Sequence, residues 1–495
     1  MRRFTLLLCC IFSVGFIMGQ QAGEWKRVDS KSSETKFYRF VGGSENHSLA
    51  IVTMPTDKKE KGFFGVIRWY DADLSFYEDF AMPEESPMHY SVSDFAGHII
   101  VSGYNFSGTG PYISGLYEQI VLCLSDDGKV MGRLCLKKAS EKNYFQDGPS
   151  LFLSGDGDHL IVVSKEGVSR EEPEEDTELF HLIVLDRDFK QVWRDSIDFN
   201  QKFGKGTDFR KTRFDYTQDG KLIMMVGKVG SAPKKEATKL MVSIYDAPGN
   251  ESHYIEQTFA YYTFRYRHVV KDDGSIYICG ITMNQWSGSG NGMNQLFVLG
   301  TNYKTRSAKT YTETQLDKNF YKAYPPYSKD LKNHIQEPGE VFLMNDGLLY
   351  ISLYALISEG QTYGISEDIT LIKFGFDGKI QWLKMIIKED RITPENLYFK
   401  AYSRGNDVLI FYTDHEKKAK GDKPGPIPSD NPYGLALAVV SSDGTIKECM
   451  IDNRKKDRTI FDLTSLFQVT EDRYLIKGVL SKDHVKTEYV RTIVF

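Results

Sequence analysis

The stretch HVVKDDGSIYICGITM, from His268 to Met283, decides the fold, because it joins two short apolar runs through an Asp-Gly turn. Asp-Gly between alternating apolar residues is the strongest short-range signal of a β-hairpin. The stretch FDYTQDGKLIMMVGKV, from Phe214 to Val229, repeats the pattern. Similar hairpins recur along the chain, which indicates a repeat architecture.

The repeat unit contains two hairpins and spans roughly 55 to 70 residues. Six further first hairpins begin near Phe37, His89, Ser150, Glu340, Tyr398 and Ser465. After each of the first seven come a variable loop and a second hairpin, beginning near Val66, Ile120, Leu182, Met241, Leu296, Leu371 and Leu437. Four strands per unit without sustained helical periodicity predict an all-β fold, a single β-propeller of about eight four-stranded blades. Seven blades is the alternative, and two smaller all-β domains is the runner-up fold.

The last unit stops at Phe495 after one further strand, TEYVRTIVF, and so lacks its fourth strand. The segment GEWKR around Trp25 matches the fourth strands that hold Trp193 and Trp382. We therefore expect an N-terminal strand to complete the last blade and to cover an exposed sheet edge. The alternative places Trp25 in a disordered tail.

The first 19 residues have the pattern of a secretory signal peptide. Arg2 and Arg3 precede an apolar run from Phe4 to Met18, which is short for a transmembrane anchor. Cys9 and Cys10 raise the alternative of a lipoprotein, but both lie inside the apolar run. The Gln after the cut is similar to signal peptides of the Bacteroidetes. We expect residues 20–495 to form one exported propeller domain, in the periplasm, on the cell surface or outside the cell.

Composition excludes some partners and frameworks. The chain has 495 residues, 41% of them hydrophobic, and a formal net charge of −5, so it has no global basic field for nucleic acid or an anionic membrane. The mature cysteines are too few and too scattered for a disulfide scaffold, and buried free thiols are favoured. A tight turn places Cys123 opposite about Gly132 and leaves Cys135 out of register, so no bridge is expected between them. The other two are Cys279 and Cys449.

The repeated Asp-Gly turns and the stretch ITLIKFGFDGKIQWLK, from Ile369 to Lys384, carry a family resemblance. The pattern resembles bacterial secreted propellers of the kelch-like and SBBP-like kind. This resemblance implies a propeller fold and a cell-envelope setting. It implies no activity, because propellers serve as hydrolases, lyases, receptors and scaffolds alike.

Candidate binding residues follow from loop length. In a four-stranded blade the turns between strands one and two and between strands three and four share one rim, and the longer loops share the other. Function on such a scaffold usually lies in the long loops and the central mouth. Amphipathic aromatic side chains there suit stacking on sugars or anchoring a protein, although they could instead cover the blade tops. The candidates are Tyr104, Tyr112, Tyr117, Trp286, Tyr324 and Tyr327.

Motifs for catalysis and metal binding are absent from the sequence. It contains no G-x-S-x-G and no H-E-x-x-H. The stretches SDDGKV at Ser125 and SSDGTI at Ser441 resemble sialidase Asp-boxes, but the glycine comes one residue early and the tryptophan is missing. Asp71 opens a calcium-like loop in which Phe76 takes the position that requires glycine. We therefore predict no metal and no cofactor. A pair of glycosidase carboxylates from different blades could not be recognised in the sequence.

The sequence favours an exported, non-catalytic propeller that binds an envelope protein or glycan through its long-loop face. The alternative is a glycan-active enzyme, a glycoside hydrolase or lyase, with its site at the central mouth. A third possibility is a purely structural role in an envelope assembly.

Overall fold

The structure is a computed structural model. The predicted signal peptide and Trp25 lie outside the residues that it describes. These are residues 21–22, 26–27, 36–43, 46–55, 63–87, 89–107, 116–139, 148–165, 179–204, 212–228, 238–259, 263–283, 294–315, 334–357, 364–392, 399–414, 434–452, 459–482 and 485–495.

The described strands form eight four-stranded antiparallel sheets, the blades of a β-propeller. The predicted fold class and the count of eight blades are confirmed. In seven of the blades, the order of strands across the sheet follows their order along the chain. The chain divides into two compact units: Met1–Met82 with Glu395–Ser441 and Thr445–Phe495, and Pro83–Pro394 with Ser442–Gly444.

The first unit contains blades 1, 7 and 8. Blade 1 consists of β3 Lys36–Gly43, β4 His47–Pro55, β5 Phe63–Asp71 and β6 Tyr77–Ala81. Blade 7 consists of β27 Lys400–Arg404, β28 Asp407–Asp414, β29 Gly434–Val440 and β30 Ile446–Asp452. Blade 8 consists of β31 Thr459–Thr470, β32 Arg473–Lys482 and β33 Val485–Val494, together with the short strands β1 Gln21–Ala22 and β2 Lys26–Arg27.

The second unit contains blades 2 to 6. Blade 2 consists of β7 His89–Phe95, β8 His98–Ser107, β9 Leu116–Leu124 and β10 Val130–Ala139. Blade 3 consists of β11 Ser150–Leu153, β12 Leu160–Lys165, β13 Leu179–Leu185 and β14 Gln191–Asp198, and the short helix α1 Phe199–Phe203 follows it. Blade 4 consists of β15 Arg213–Tyr216, β16 Leu222–Lys228, β17 Thr238–Ala247 and β18 Asn250–Phe259.

Two further blades complete the second unit. Blade 5 consists of β19 Thr263–Val270, β20 Ser275–Met283, β21 Asn294–Asn302 and β22 Ser307–Gln315. Blade 6 consists of β23 His334–Met344, β24 Gly347–Ile357, β25 Gly364–Gly375 and β26 Ile380–Ile392. The first strands of neighbouring blades lie against one another, β11 against β15 and β19 against β23, so these are the inner strands.

The middle strands are apolar runs because both of their faces are buried. In β16, the six residues from Leu222 to Gly227 are all buried. Met224 belongs to the core between blades 3 and 4, whereas its neighbour Met225 belongs to the core between blades 4 and 5. Successive side chains of a strand point to opposite faces, so a blade between two neighbours needs apolar residues at every position.

The N-terminal segment completes the last blade, as predicted. Gln21 and Ala22 pair with the end of β33, and Lys26 pairs with Val490 further along the same strand. Both short strands run antiparallel to β33 and occupy the position of a fourth strand. They cover the edge of β33 that would otherwise be open for pairing with another chain.

Arg473 links blade 8 to blade 1 within the first unit. Its guanidinium donates to Ser48 Oγ at 3.1 Å and to the carbonyl oxygen of Ala72 at 2.7 Å. Beside it, Leu475 and Val490 pack into the apolar core of blade 1. A charged side chain with these acceptors therefore ties the two blades together at the edge of an apolar interface.

The Asp-Gly turns share one geometry. In the turn from Thr217 to Lys221, the N–H of Gly220 donates to the carbonyl oxygen of Thr217, and the N–H of Thr217 donates to that of Lys221. Gly220 has a φ of 81°, which lies in the left-handed region where glycine carries no steric penalty. This position explains why glycine follows aspartate in the repeated turns.

The cysteines confirm the predicted hairpin register. Cys123 lies opposite Gly132, and Cys135 pairs instead with Ile120. Cys123 and Cys279 are buried free thiols, as predicted. Cys135 is exposed, which corrects the prediction for that residue. It lies on the outer strand β10, where its Sγ is 3.1 Å from a carboxylate oxygen of Glu118.

Removing the N-terminal strands tests whether they close blade 8. A variant that begins at Val28 leaves the edge of β33 unpaired, so we expect its unfolding temperature to fall by roughly 2–4 °C and its aggregation to increase. The reference is a chain that begins at Gln20, studied by scanning calorimetry and light scattering.

A control chain begins at Gln20 and carries Lys26→Thr and Arg27→Thr. It keeps the backbone pairing and should behave like the reference. If the variant that begins at Val28 matches the reference in both measurements, the strands do not stabilise the blade.

Candidate functional site

A cavity of about 280 Å³ lies at the short-turn ends of blades 3, 4 and 5, inside the second unit. The turns β11–β12, β15–β16 and β19–β20 form most of its wall, with residues that follow β21. Six of the lining residues have side chains with a carboxylate or a phenol hydroxyl, and these are the groups that could bind a ligand. They are Asp156, Asp215, Asp219, Asp272, Tyr216 and Tyr303.

Asp215 contributes a buried carboxylate to the cavity wall, since the residue is only 3% exposed. Phe214 and Tyr216, its neighbours on β15, join the core between blades 3 and 4, so Asp215 points to the opposite face. Its Oδ1 accepts hydrogen bonds from the backbone N–H groups of Gly155 and Tyr216, both at 2.8 Å. These donors offset part of the cost of burying a charge.

His268 approaches the second carboxylate oxygen of Asp215, with its Nε2 3.3 Å from Oδ2. His268 lies on β19, so the contact joins the inner strands of blades 4 and 5. Its side chain is 15% exposed. A carboxylate beside an imidazole orients the ring. The pair therefore places an imidazole and a carboxylate side by side on the inner strands of blades 4 and 5.

Asp219 and Tyr303 form a second polar pair at the cavity. The Tyr303 hydroxyl donates to Asp219 Oδ1 at 2.8 Å, and Thr217 Oγ1 donates to the same oxygen at 2.6 Å. Burial acts to raise the pKa of Asp219, but these hydrogen bonds outweigh it and hold the pKa below its ordinary value. Burial and the neighbouring carboxylate raise the pKa of the Tyr303 hydroxyl. The carboxylate is therefore ionised and the phenol neutral at neutral pH.

The two lysines of the cavity are already engaged. The Nζ atom of Lys271 lies 3.1 Å from Oδ2 of Asp273 and over the ring of Phe376. Lys304 donates to the backbone carbonyl oxygen of Asp272 at 2.6 Å. Four aspartates against two lysines give the cavity an excess of negative charge. Such a wall attracts a cationic group, which can replace water as the hydrogen-bond donor.

Metal binding has no support in the part of the chain that the structure describes, where no three His, Cys, Asp or Glu side chains come together as a possible metal site. The cavity carboxylates instead accept hydrogen bonds from protein groups. The Asp71 turn behaves in the same way, since Asp71 Oδ1 accepts from the N–H of Ser75 at 2.8 Å.

Two of the aromatic residues predicted from the long loops, Tyr104 and Tyr117, lie on the paired strands β8 and β9. Tyr104 is half-buried on β8, where its backbone pairs with His89 and Gln119. Tyr117 lies on β9 and only its backbone is described, paired with Phe106 and Ala139. The remaining candidates lie outside the described residues: Tyr112, Trp286, Tyr324 and Tyr327.

The cavity residues were missed because their turns were interpreted as structural only. Asp215 was the available signal, since it is a charged residue between the aromatic residues Phe214 and Tyr216. His268 was interpreted as a structural histidine of the first hairpin. Nothing in the sequence placed it beside Asp215, which lies 53 positions earlier.

Comparisons with known proteins give no function. No family model and no curated protein matches the chain. A solved structure of a protein of unknown function from Dyadobacter fermentans is similar to it, with 10% sequence identity and a TM-score of 0.33. The match covers 96% of this chain and 99% of that one. The blades themselves define the class of the chain, a β-propeller. No helix among the described residues has the length and apolar character that a membrane crossing requires.

Two substitutions at Asp215 test its structural contribution. Asp215→Ala leaves the N–H groups of the buried Tyr216 and of the exposed Gly155 without this acceptor, so we expect a loss of about 1–3 kcal/mol in the free energy of unfolding. Asp215→Asn keeps a carbonyl oxygen for these donors and should lose less. Urea denaturation of both variants provides the comparison. Equal losses would show that the hydrogen bonds from Gly155 and Tyr216 contribute little.

Proposed function

We propose that this protein is an exported, non-catalytic β-propeller of the cell envelope that binds a partner. One observation carries the binding function: the buried carboxylate of Asp215 in the wall of an open, polar cavity. Burying a charge in a protein interior costs free energy. Such a charge is usually kept only where pairing offsets this cost or where function requires the charge. A volume of about 280 Å³ suits a single side chain or a sugar-sized group.

The charge of the cavity favours a cationic group on the partner. Lys271 and Lys304 are held by other groups, so the carboxylates face the cavity without full compensation. The rings of Tyr216 and Tyr303 supply apolar walls for a methylene chain. A lysine or arginine side chain presented by an envelope protein fits this combination.

The sequence supports the proposed location. The first 19 residues have the n-region, apolar run and small residue of a signal peptide, and the Asp-Gly repeats resemble secreted kelch-like and SBBP-like propellers. We place the protein in the periplasm, on the cell surface or outside a Gram-negative cell of the Bacteroidetes type.

A matched pair of turn aspartates tests the cavity as a binding site. Asp219 accepts from Thr217 Oγ1 at 2.6 Å, and Asp127 of blade 2 accepts from Ser125 Oγ at 2.6 Å, but only Asp219 lines the cavity. The probes are Nα-acetyl-lysine amide and Nα-acetyl-arginine amide in titration calorimetry. We expect Asp219→Asn and Asp215→Asn to weaken binding at least about tenfold, and Asp127→Asn to bind like the wild type.

The charge-neutral probe Nα-acetyl-norleucine amide should not bind. If the wild type binds neither cationic probe, or if Asp127→Asn weakens binding as much as Asp219→Asn, the cavity is not the site.

As a second proposal, the rim that carries the longer loops binds a glycan or a protein. Aromatic side chains on glycine-rich loops suit such contacts. Combined substitution of Tyr104, Trp286 and Tyr324 by alanine should abolish binding on a glycan array or the capture of envelope proteins. Unchanged binding in both assays would remove this face from the proposal. The other candidates on this face are Tyr112, Tyr117 and Tyr327.

A glycan-active enzyme is the second candidate function, favoured by the contact between Asp215 and His268. A glycoside hydrolase or lyase needs a general acid or base within reach of its substrate, and losing this group costs about 10²–10⁴-fold in rate. If the protein is an enzyme, the wild type should release reducing ends from polysaccharides and His268→Gln should not. Release by neither protein agrees with the non-catalytic proposal.

A further inference from the structure

Three arginines lie on the inner strands of blades 4 and 5, apart from the cavity lining. Arg213 begins β15, and Arg265 and Arg267 lie on β19. Side chains two positions apart in a strand share a face, so Arg265 and Arg267 point to the same side of blade 5. All three belong to the second unit, and the electrostatic influence of Arg213 and of Arg265 extends to Arg267.

The backbone around Arg267 shows where its guanidinium lies. A Cβ added at Gly280 of β20 would collide with the carbonyl oxygen of Arg265, so that carbonyl points toward β20. Successive carbonyls of a strand alternate, and the carbonyl of Tyr266 therefore points to the edge of β19 that faces away from β20. Arg267 Nη1 donates to that oxygen at 3.2 Å. The guanidinium thus lies at the open edge of the inner strand.

Arg267 has no ion-pair partner among the residues that the structure describes. Its one described side-chain hydrogen bond goes to the Tyr266 carbonyl, and Glu340 attracts it only at longer range. Burial, followed by the positive charge of Arg213, lowers the pKa of Arg267 from its ordinary value. Like charges held close together in a half-buried place repel one another, and a bound anion would relieve this repulsion.

Tyr350 provides an independent observation on the same face. Arg267 lies opposite Cys279 in the β19–β20 register, so both side chains share the face that turns toward blade 6. Tyr350 of β24 packs with Cys279 in the core between blades 5 and 6. It is fully buried, and its hydroxyl has no hydrogen-bond partner in the described part of the chain. Arg265 and Arg267 both act on it electrostatically.

Among the described residues, the buried Tyr350 hydroxyl has no hydrogen-bond partner and Arg267 has no counter-ion, so one acceptor with negative charge would satisfy both. We propose that Arg265, Arg267 and Tyr350 form a binding site for an oxyanion, a carboxylate, sulfate or phosphate group. The guanidinium fork of Arg267 would donate in parallel to two oxygens of that group, and the Tyr350 hydroxyl would donate to one. This site goes beyond the proposed function, because the aspartate-lined cavity binds cations.

Titration calorimetry on the full mature chain tests the site. The probes are sodium sulfate, sodium phosphate and sodium glucuronate, with sodium chloride at matched ionic strength as the reference. We expect at least one oxyanion to bind in preference to chloride. Arg267→Gln should weaken that binding at least about tenfold, and Arg267→Lys should restore part of it, because lysine keeps the charge without the fork. Sulfate or phosphate binding indicates a free or esterified anion, and glucuronate binding indicates an acidic sugar.

Tyr350→Phe separates binding from folding. No described residue bonds to this hydroxyl, so its removal should leave the unfolding temperature unchanged or higher while weakening oxyanion binding severalfold. Tyr245→Phe is the matched control, because its buried hydroxyl also lacks a partner among the described residues. Its charged neighbours are two carboxylates and the ammonium group of Lys202 rather than arginines. It should bind like the wild type.

Three results would overturn the site: equal response to chloride and all oxyanions, wild-type affinity in Arg267→Gln, or equal loss in Tyr350→Phe and Tyr245→Phe. The cavity variants Asp215→Asn and Asp219→Asn should keep oxyanion binding. Failure of the amine probes at the cavity therefore leaves this site standing, and failure here leaves the cavity standing.

Discussion

The packing of blade against blade is the constraint on which the rest of this protein depends. A blade between two neighbours of the same unit must bury both faces, so its middle strands accept almost only apolar side chains. Met224 and Met225, adjacent in sequence, enter two different cores. The aspartates of the cavity accordingly lie in turns and on an inner strand, whereas charged side chains buried on middle strands, such as Arg68 and Lys373, are held by ion pairs.

The inner strands concentrate the charges that this packing permits. Asp215 and His268 meet across two blades, and Arg267 reaches the open edge of β19. One carboxylate oxygen of Asp215 accepts from two backbone N–H groups and the other faces His268, whereas Arg267 donates to a backbone carbonyl oxygen.

The sequence was sufficient for the features that depend on local pairing. Asp-Gly turns and apolar runs predicted the hairpins, the blade count and the register that places Cys123 opposite Gly132. Even the strand from the N-terminus was predicted, because its edge had to be covered. Contacts between blades were not predictable, since the approach of His268 to Asp215 depends on stacking that no local pattern records. The aromatic loop residues remain a prediction.

The pairing of β2 with β33 also constrains the order of folding. The two partners lie near opposite ends of the chain, so blade 8 cannot be completed until both are present in the same compartment. Contacts of such long sequence separation form slowly, because much of the chain must be ordered first. A chain synthesised from its N-terminus therefore carries β1 and β2 unpaired until β33 has been made, and an unpaired strand of this kind is prone to aggregation.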